Sequence, residues 1–230
     1  MVDVGANYHR IIDRIGDAAK KVGRRPEEIK LLAASKSQDV ELIRLAIASG
    51  VRMIGENYVQ EAESKIKAVS KSVEWHMIGH VQRNKAKMAV KIFDLIQTLD
   101  SAALALELNK EGQKQEKKVR ALIEVNLGGE ATKSGIAEDK VQELLKVVGD
   151  LTYLRVEGLM TVPPFKEDPE EQRSYFRSLR ELQMELEKLK IPNATLKELS
   201  MGMTHDYAVA VEEGATIVRI GTALFGPRKT

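Results

Sequence analysis

The sequence has no cysteine, which excludes disulfides, thiolate nucleophiles and cysteine-ligated zinc. It has no stretch approaching the roughly 20 apolar residues of a membrane span, and no apolar signal core at its N-terminus. The cytoplasm is therefore the expected location. It also lacks a charge excess: 36 Lys and Arg face 34 Asp and Glu, for a formal charge of +2. That is too little for a nucleic-acid or membrane footprint. The basic clusters Arg83-Lys85-Lys87 and Lys114-Lys117-Lys118 read as solvated faces. No linker rich in Pro, Gly or Ser divides the 230 residues, so one domain spanning 1–230 is expected. No nucleophile elbow G-x-S-x-G and no P-loop occurs.

What is present is a short apolar run followed by a helical stretch, repeated along the chain. The runs are Ile29 to Ser35, Val51 to Gly55, Trp75 to Gly79, Phe93 to Thr98, Val119 to Val125, Leu154 to Met160, Leu196 to Ser200 and Ile217 to Ile220. Several are apolar on both faces, as buried parallel strands should be. Between them Val40, Ile43 and Ile47 share a helix face. Glycines at 23, 50, 112, 149 and 214 follow helical stretches, where a left-handed cap suits them. Asp168-Pro169-Glu170-Glu171 is a helix start, opening a face of Phe176, Leu179, Leu182, Leu186 and Leu189. A further helix precedes the first strand, with Tyr8, Ile11, Ile12, Ile15, Ala19 and Val22 as its apolar stripe. Eight β/α units in this length predict an α/β fold, a single (β/α)8 TIM barrel with an additional N-terminal helix. A doubly wound open sheet is the alternative, but no G-x-G-x-x-G follows the first strand.

Function in such a barrel belongs at the carboxyl ends of the strands. There the first strand delivers Lys36. By position alone it can be a charged residue leaving the sheet; it can also be an amine nucleophile made reactive by desolvation or by a neighbouring cation, for which Arg219 is the candidate. Strand seven ends in Ser200-Met201-Gly202-Met203-Thr204 and strand eight in Arg219-Ile220-Gly221-Thr222. Loops in these positions, with a short helix N-terminus, are the usual phosphate cradle of the architecture. Glycines admit backbone N–H groups to an anion, and Ser200 and Thr222 offer hydroxyl donors. Asn57 and His80 follow strands two and three and suit either ligand contact or helix capping. His76 and His80 lack the helical context and the glutamate of a zinc motif. Glu56 and Glu61 carry no specific signal, and Met201 and Met203 are expected to pack around their loop.

Several ordered motifs give the chain a family resemblance. They are Ala34-Ser35-Lys36, Gly55-Glu56-Asn57-Tyr58-Val59-Gln60-Glu61, His76-Met77-Ile78-Gly79-His80-Val81-Gln82-Arg83-Asn84-Lys85, Lys133-Ser134-Gly135, Gly158-Leu159-Met160, Leu199-Ser200-Met201-Gly202-Met203 and Val218-Arg219-Ile220-Gly221-Thr222-Ala223-Leu224-Phe225-Gly226. Over nearly its whole length the chain resembles the pyridoxal phosphate homeostasis proteins, small relatives of the alanine racemase barrel domain. The resemblance implies a barrel that binds pyridoxal 5′-phosphate as an aldimine at Lys36. Its phosphate would sit on Ser200, Gly202, Gly221 and Thr222, with Arg219 facing the pyridine nitrogen and Asn57 beside the ring. Lys133 corresponds to the family's loop lysine, expected outside direct contact with the cofactor and in a position to gate it. One departure is Ser37-Gln38, where relatives often carry threonine or valine and then lysine; it touches only the edge of the site.

The resemblance also bears on catalysis. Alanine racemase takes its second base from an additional C-terminal domain, and that domain is expected to be absent here because the sequence stops at Thr230. An arginine opposite the pyridine nitrogen can only donate, so the ring nitrogen stays unprotonated and stabilises carbanions poorly. The expectation is a monomeric, non-catalytic carrier that buffers pyridoxal phosphate and hands it to apo forms of pyridoxal phosphate enzymes. A weak amino-acid racemase is the alternative, and a Schiff-base aldolase acting on a phosphorylated sugar is a third possibility.

Overall fold

The computed structural model describes residues 2–69, 73–130 and 134–227. Lys133, with any gating role for its loop, lies outside the described residues. Eight parallel strands close into a barrel in sequence order. They are β1 (Lys30–Ala34), β2 (Met53–Glu56), β3 (Glu74–Met77), β4 (Leu95–Leu99), β5 (Val119–Glu124), β6 (Leu154–Met160), β7 (Ala194–Ser200) and β8 (Ile217–Ile220). Closure comes from β1, which pairs with β2 through Leu32 and Met53 and with β8 through Leu32 and Arg219. The expected TIM barrel is the observed fold.

The strands alternate with helices α2 (Val40–Ser49), α3 (Val59–Ala68), α4 (Ala86–Ile92), α5 (Ala102–Lys114), α6 (Val141–Gly149), α7 (Arg173–Glu187), α8 (Tyr207–Glu212) and the short α9 (Thr222–Phe225). The additional helix, α1 (Val4–Lys21), is started by Asp3, whose carboxylate accepts from the Ala6 N–H at 2.9 Å. It buries Ile11, Ile15 and Ala19 against α2, α8 and α9, and Asn7 donates to the Leu224 carbonyl at 2.9 Å. This fixes α9, and so the end of β8, from outside.

The strands are apolar on both faces because there are two cores. Leu32, Leu95, Leu122, Met160 and Ile217 fill the barrel interior. A larger layer, including Ile54, Trp75, Ile123, Leu159 and Val218, packs between strands and helices. No helix among the described residues is long and apolar enough to cross a membrane.

Gly23, Gly50 and Gly214 take the left-handed backbone expected of them. Gly112 and Gly149 do not. Gly112 lies within α5, and Glu116 makes the left-handed turn (φ 50°); the glycine is needed because a Cβ there would stand 2.8 Å from the Lys117 carbonyl oxygen. Gly149 is the last residue of α6 and is followed by a right-handed Asp150. The α7 stripe ends early, since the helix stops at Glu187 and Leu189 is exposed. Val22, at the cap of α1, is exposed too. Among the basic clusters, Lys117 is structural: its amine donates to the Val90 and Phe93 carbonyls at 2.7 Å each and holds the end of α4.

Candidate functional site

At the carboxyl ends of the strands lies a cavity of about 370 Å³, whose walls include Lys36, Asn57, Met203, Arg219, Gly221 and Thr222. The two sides of this mouth are built differently.

On the β1–β2 side, Lys36 directly follows buried Ser35 and precedes Ser37, which has a left-handed backbone (φ 60°). The turn is clamped from behind by charge. The Lys65 amine donates to the Ser35 carbonyl at 2.6 Å and to Glu56 Oε1 and Glu61 Oε1 at 2.7 Å each. The Ser35 hydroxyl donates to Glu56, and the Ser37 N–H donates to Glu61 at 2.7 Å. Burial pushes the Glu56 carboxyl above its ordinary range, opposed by hydrogen bonds from Lys65 and Ser35. The Lys36 amine stands 5.2 Å from the centre of the Tyr58 ring and extends into the cavity. Glu56 and Glu61, given no role by the sequence reading, therefore hold the backbone that presents Lys36. The available signal was Glu61-x-x-x-Lys65, one helical turn apart, directly after a strand ending in Glu56.

On the β7–β8 side the central group is Arg219. Its guanidinium is buried and donates to the Ser200 carbonyl, the Ser200 hydroxyl and the Thr161 carbonyl, each at 2.8 Å. These bonds use three of the five guanidinium N–H donors and leave two without an acceptor among the described residues. Burial lowers its pKa to about 10, with Glu124 and Asp206 acting in the opposite sense, so the group stays charged at neutral pH.

Ser200 and Gly202 lie behind the cavity wall. The fully buried Ser200 hydroxyl donates to Gln97 Oε1 at 2.6 Å while accepting from Arg219. Gly202 (φ 88°) accepts from the Arg219 N–H at 3.0 Å, and a Cβ on it would sit 2.5 Å from the Ala210 Cβ. Gly221 and Thr222 line the cavity directly, as do Met203, Thr204 and His205. Met203 is thus a wall residue and Met201 a buried packing residue. The backbone N–H groups of Thr204, Gly221 and Thr222 have no acceptor among the described residues. Asp206 shapes the loop by accepting from the Met203 N–H at 2.6 Å.

Asn57 lines the cavity, and Gly79 permits its placement: a Cβ at 79 would come within 2.3 Å of the Asn57 carbonyl oxygen. His80 is not brought to this cavity; it is half exposed and its Nδ1 lies 3.1 Å from Asp100. His76 is buried inside the barrel. Sequence reasoning missed Glu124, at the end of β5. It is 7% exposed, its Oε2 has no partner among the described residues, and burial raises its pKa to about 7, with the Arg219 charge opposing.

The assembled mouth offers one amine, one fixed guanidinium with spare donors and a set of uncommitted backbone N–H groups. That is the donor set for an anionic, carbonyl-bearing ligand with a ring acceptor. Comparison with known proteins agrees. Residues 10–229 match the family described as alanine racemase, N-terminal domain. A protein of Aquifex aeolicus named pyridoxal phosphate homeostasis protein is 47% identical over 221 residues, covering 96% of each chain. The chain belongs to this family. Solved structures extend the match. An unknown protein from Bifidobacterium adolescentis has a TM-score of 0.92 at 33% identity, covering 98% of both chains. PipY of Synechococcus elongatus with pyridoxal phosphate bound has a TM-score of 0.81 at 34% identity, covering 94% of this chain and all of PipY.

Proposed function

We infer that the protein binds pyridoxal 5′-phosphate at the barrel mouth and takes part in vitamin B6 homeostasis, holding the cofactor through an imine to Lys36. The observation that carries this reading is the shared cavity. The Lys36 amine, two uncommitted Arg219 donors and the free N–H groups of Gly221, Thr222 and Thr204 all belong to its walls. The donors fit the cofactor: backbone N–H groups and the Thr222 hydroxyl suit a phosphate, a guanidinium suits an unprotonated ring nitrogen, and an amine suits an aldehyde. When bound, the cofactor supplies a reactive aldehyde and an electron-accepting ring. In this reading Ser200 and Gly202 support the cradle by holding Arg219.

The carrier reading rests on Arg219. It remains protonated at neutral pH and offers only donors, so it disfavours the protonated ring on which carbanion chemistry depends. The protein then buffers the cofactor in the cytoplasm as a monomer and releases it to apo-enzymes. The racemase alternative needs a second base. Among the described residues lining the cavity, the imidazole is that of His205, whose Nε2 is 2.7 Å from the Glu167 carbonyl oxygen.

The test is an absorption titration with pyridoxal phosphate on wild type and Lys36→Ala, followed by a racemisation assay on the loaded protein. An imine band lost in Lys36→Ala, with no racemisation above free cofactor, is the expected result. No band in wild type would reject the cofactor reading in favour of a phosphate-sugar aldolase, and Lys36-dependent racemisation would reject the carrier.

A further inference from the structure

His76 does not line the cavity, yet it connects to it. Beginning at Arg219, Nη1 donates to Ser200 Oγ at 2.8 Å, and Ser200 Oγ donates to Gln97 Oε1 at 2.6 Å. Gln97 Nε2 lies 2.9 Å from His76 Nδ1, and His76 Nε2 lies 3.2 Å from Glu74 Oε2. Glu74 opens β3 at the foot of the barrel, while Ser200 ends β7 at the mouth. The chain therefore runs through the barrel interior from one end to the other. Its middle members, His76, Gln97 and Ser200, are fully buried.

The proton direction along this chain is set by its ends. Arginine can only donate and a carboxylate can only accept. Ser200 accepts from Arg219, so its own hydrogen goes to the Gln97 amide oxygen. The Gln97 amide nitrogen then donates to His76 Nδ1, which must be unprotonated, and Nε2–H is left to donate to Glu74. Every internal member donates once and accepts once. The acceptor end is an anion: the His76 hydrogen bond, aided by the Arg120 charge, holds the Glu74 carboxyl below its ordinary range. Hydrogen bonds aligned in this sense polarise one another in a dry interior.

We propose that Glu74, His76 and Gln97 are positioning residues for Arg219, forming a one-directional hydrogen-bond relay that keeps its two uncommitted N–H groups on the mouth cavity and keeps the His76 proton on Nε2, with Nδ1 as the acceptor. The ligand part of this inference rests on the cofactor reading above; the tautomer part does not. A ligand accepting from Arg219 changes the polarisation of the whole chain, so His76 registers occupancy of a cavity it does not line.

The test uses 15N-histidine-labelled full-length protein, with pyridoxal phosphate as the probe. In unliganded wild type at pH 7, His76 is expected to show a protonated Nε2 and an unprotonated, hydrogen-bonded Nδ1. Loading should shift the Nδ1 resonance. In Gln97→Leu that response should vanish, and cofactor release should speed by about tenfold, the worth of one hydrogen bond. Gln97→Glu provides a second variant should the leucine not fold. Its carboxyl can still accept from Ser200 but replaces the amide donor to Nδ1, so the His76 Nδ1 resonance should move away from its wild-type position. An Nδ1-protonated His76 in wild type would overturn the relay. So would a loading response or release rate unchanged in Gln97→Leu, or a His76 Nδ1 resonance unchanged in Gln97→Glu. Absence of an imine band in wild type would reject the cofactor reading alone, with the tautomer and Gln97→Glu results still deciding the relay.

Discussion

The foot and the mouth of this barrel use the same residue types to opposite ends. At the foot, charges are matched. Lys30 pairs with Glu198, which also accepts from Thr216 at 2.6 Å, and Arg120 bonds both Glu157 oxygens at 3.0 and 3.1 Å. At the mouth, groups are left with unused capacity: Lys36 without an anionic partner among the described residues, Arg219 with two spare donors, Glu124 with an unpartnered oxygen. Satisfied polar groups stabilise a fold, and unsatisfied ones are retained where something else must bind. The difference marks the mouth as the end with unused binding capacity, without reference to any relative.

Breaking the mouth should therefore cost binding, and breaking its support should cost stability. Lys36→Ala should abolish the retention of pyridoxal phosphate through gel filtration while leaving the thermal midpoint unchanged, because Lys36 makes no ion pair or hydrogen bond with the described residues. A parallel fall in midpoint would mean that the lysine is structural. Lys65→Met should be the most destabilising of these changes, by about 3–5 kcal/mol in urea unfolding. It leaves Glu56 and Glu61 facing the Ser35 turn with no cation, and it should weaken cofactor retention as well by releasing Lys36.

Glu124→Gln sharpens the comparison through pH. The folded-state pKa is raised by burial to about 7, so the folded protein holds this proton more tightly than the unfolded chain does. The stability it contributes is fully present below the unfolded value and is lost as pH rises through about 7. Wild type should lose on the order of 2 kcal/mol more than Glu124→Gln between pH 5 and pH 8, measured by denaturation at each pH. Equal slopes would mean that Glu124 is solvated or paired. The smallest effect belongs to the foot: Lys30→Met should cost less than about 1 kcal/mol, since the Lys30–Glu198 pair is partly exposed.

The barrel was legible because each strand is a short apolar run and each closing register buries both faces. Lys36, Asn57, Gly221 and Thr222 were legible because position at a strand end follows from counting strands. Ser200 was legible as important but not in its task, since its hydroxyl is committed to Gln97, which is 103 residues away in sequence. The same limit hid the Gln97–His76 relay, whereas the Glu61–Lys65 part of the clamp carried a signal in its helical spacing. Buried polar partners are chosen by tertiary placement, and one sequence does not show which inward-facing side chains meet across a barrel. Gly112 failed for a related reason: its role is a close approach to the Lys117 carbonyl, which mimics the helix-ending pattern.

The most direct measurement of the central claim is borohydride reduction of the protein loaded with pyridoxal phosphate, followed by peptide mass mapping. One reduced adduct, on the peptide containing Lys36 and absent from Lys36→Ala, is the predicted result. Adduct spread over exposed lysines, unchanged in Lys36→Ala, would contradict the account.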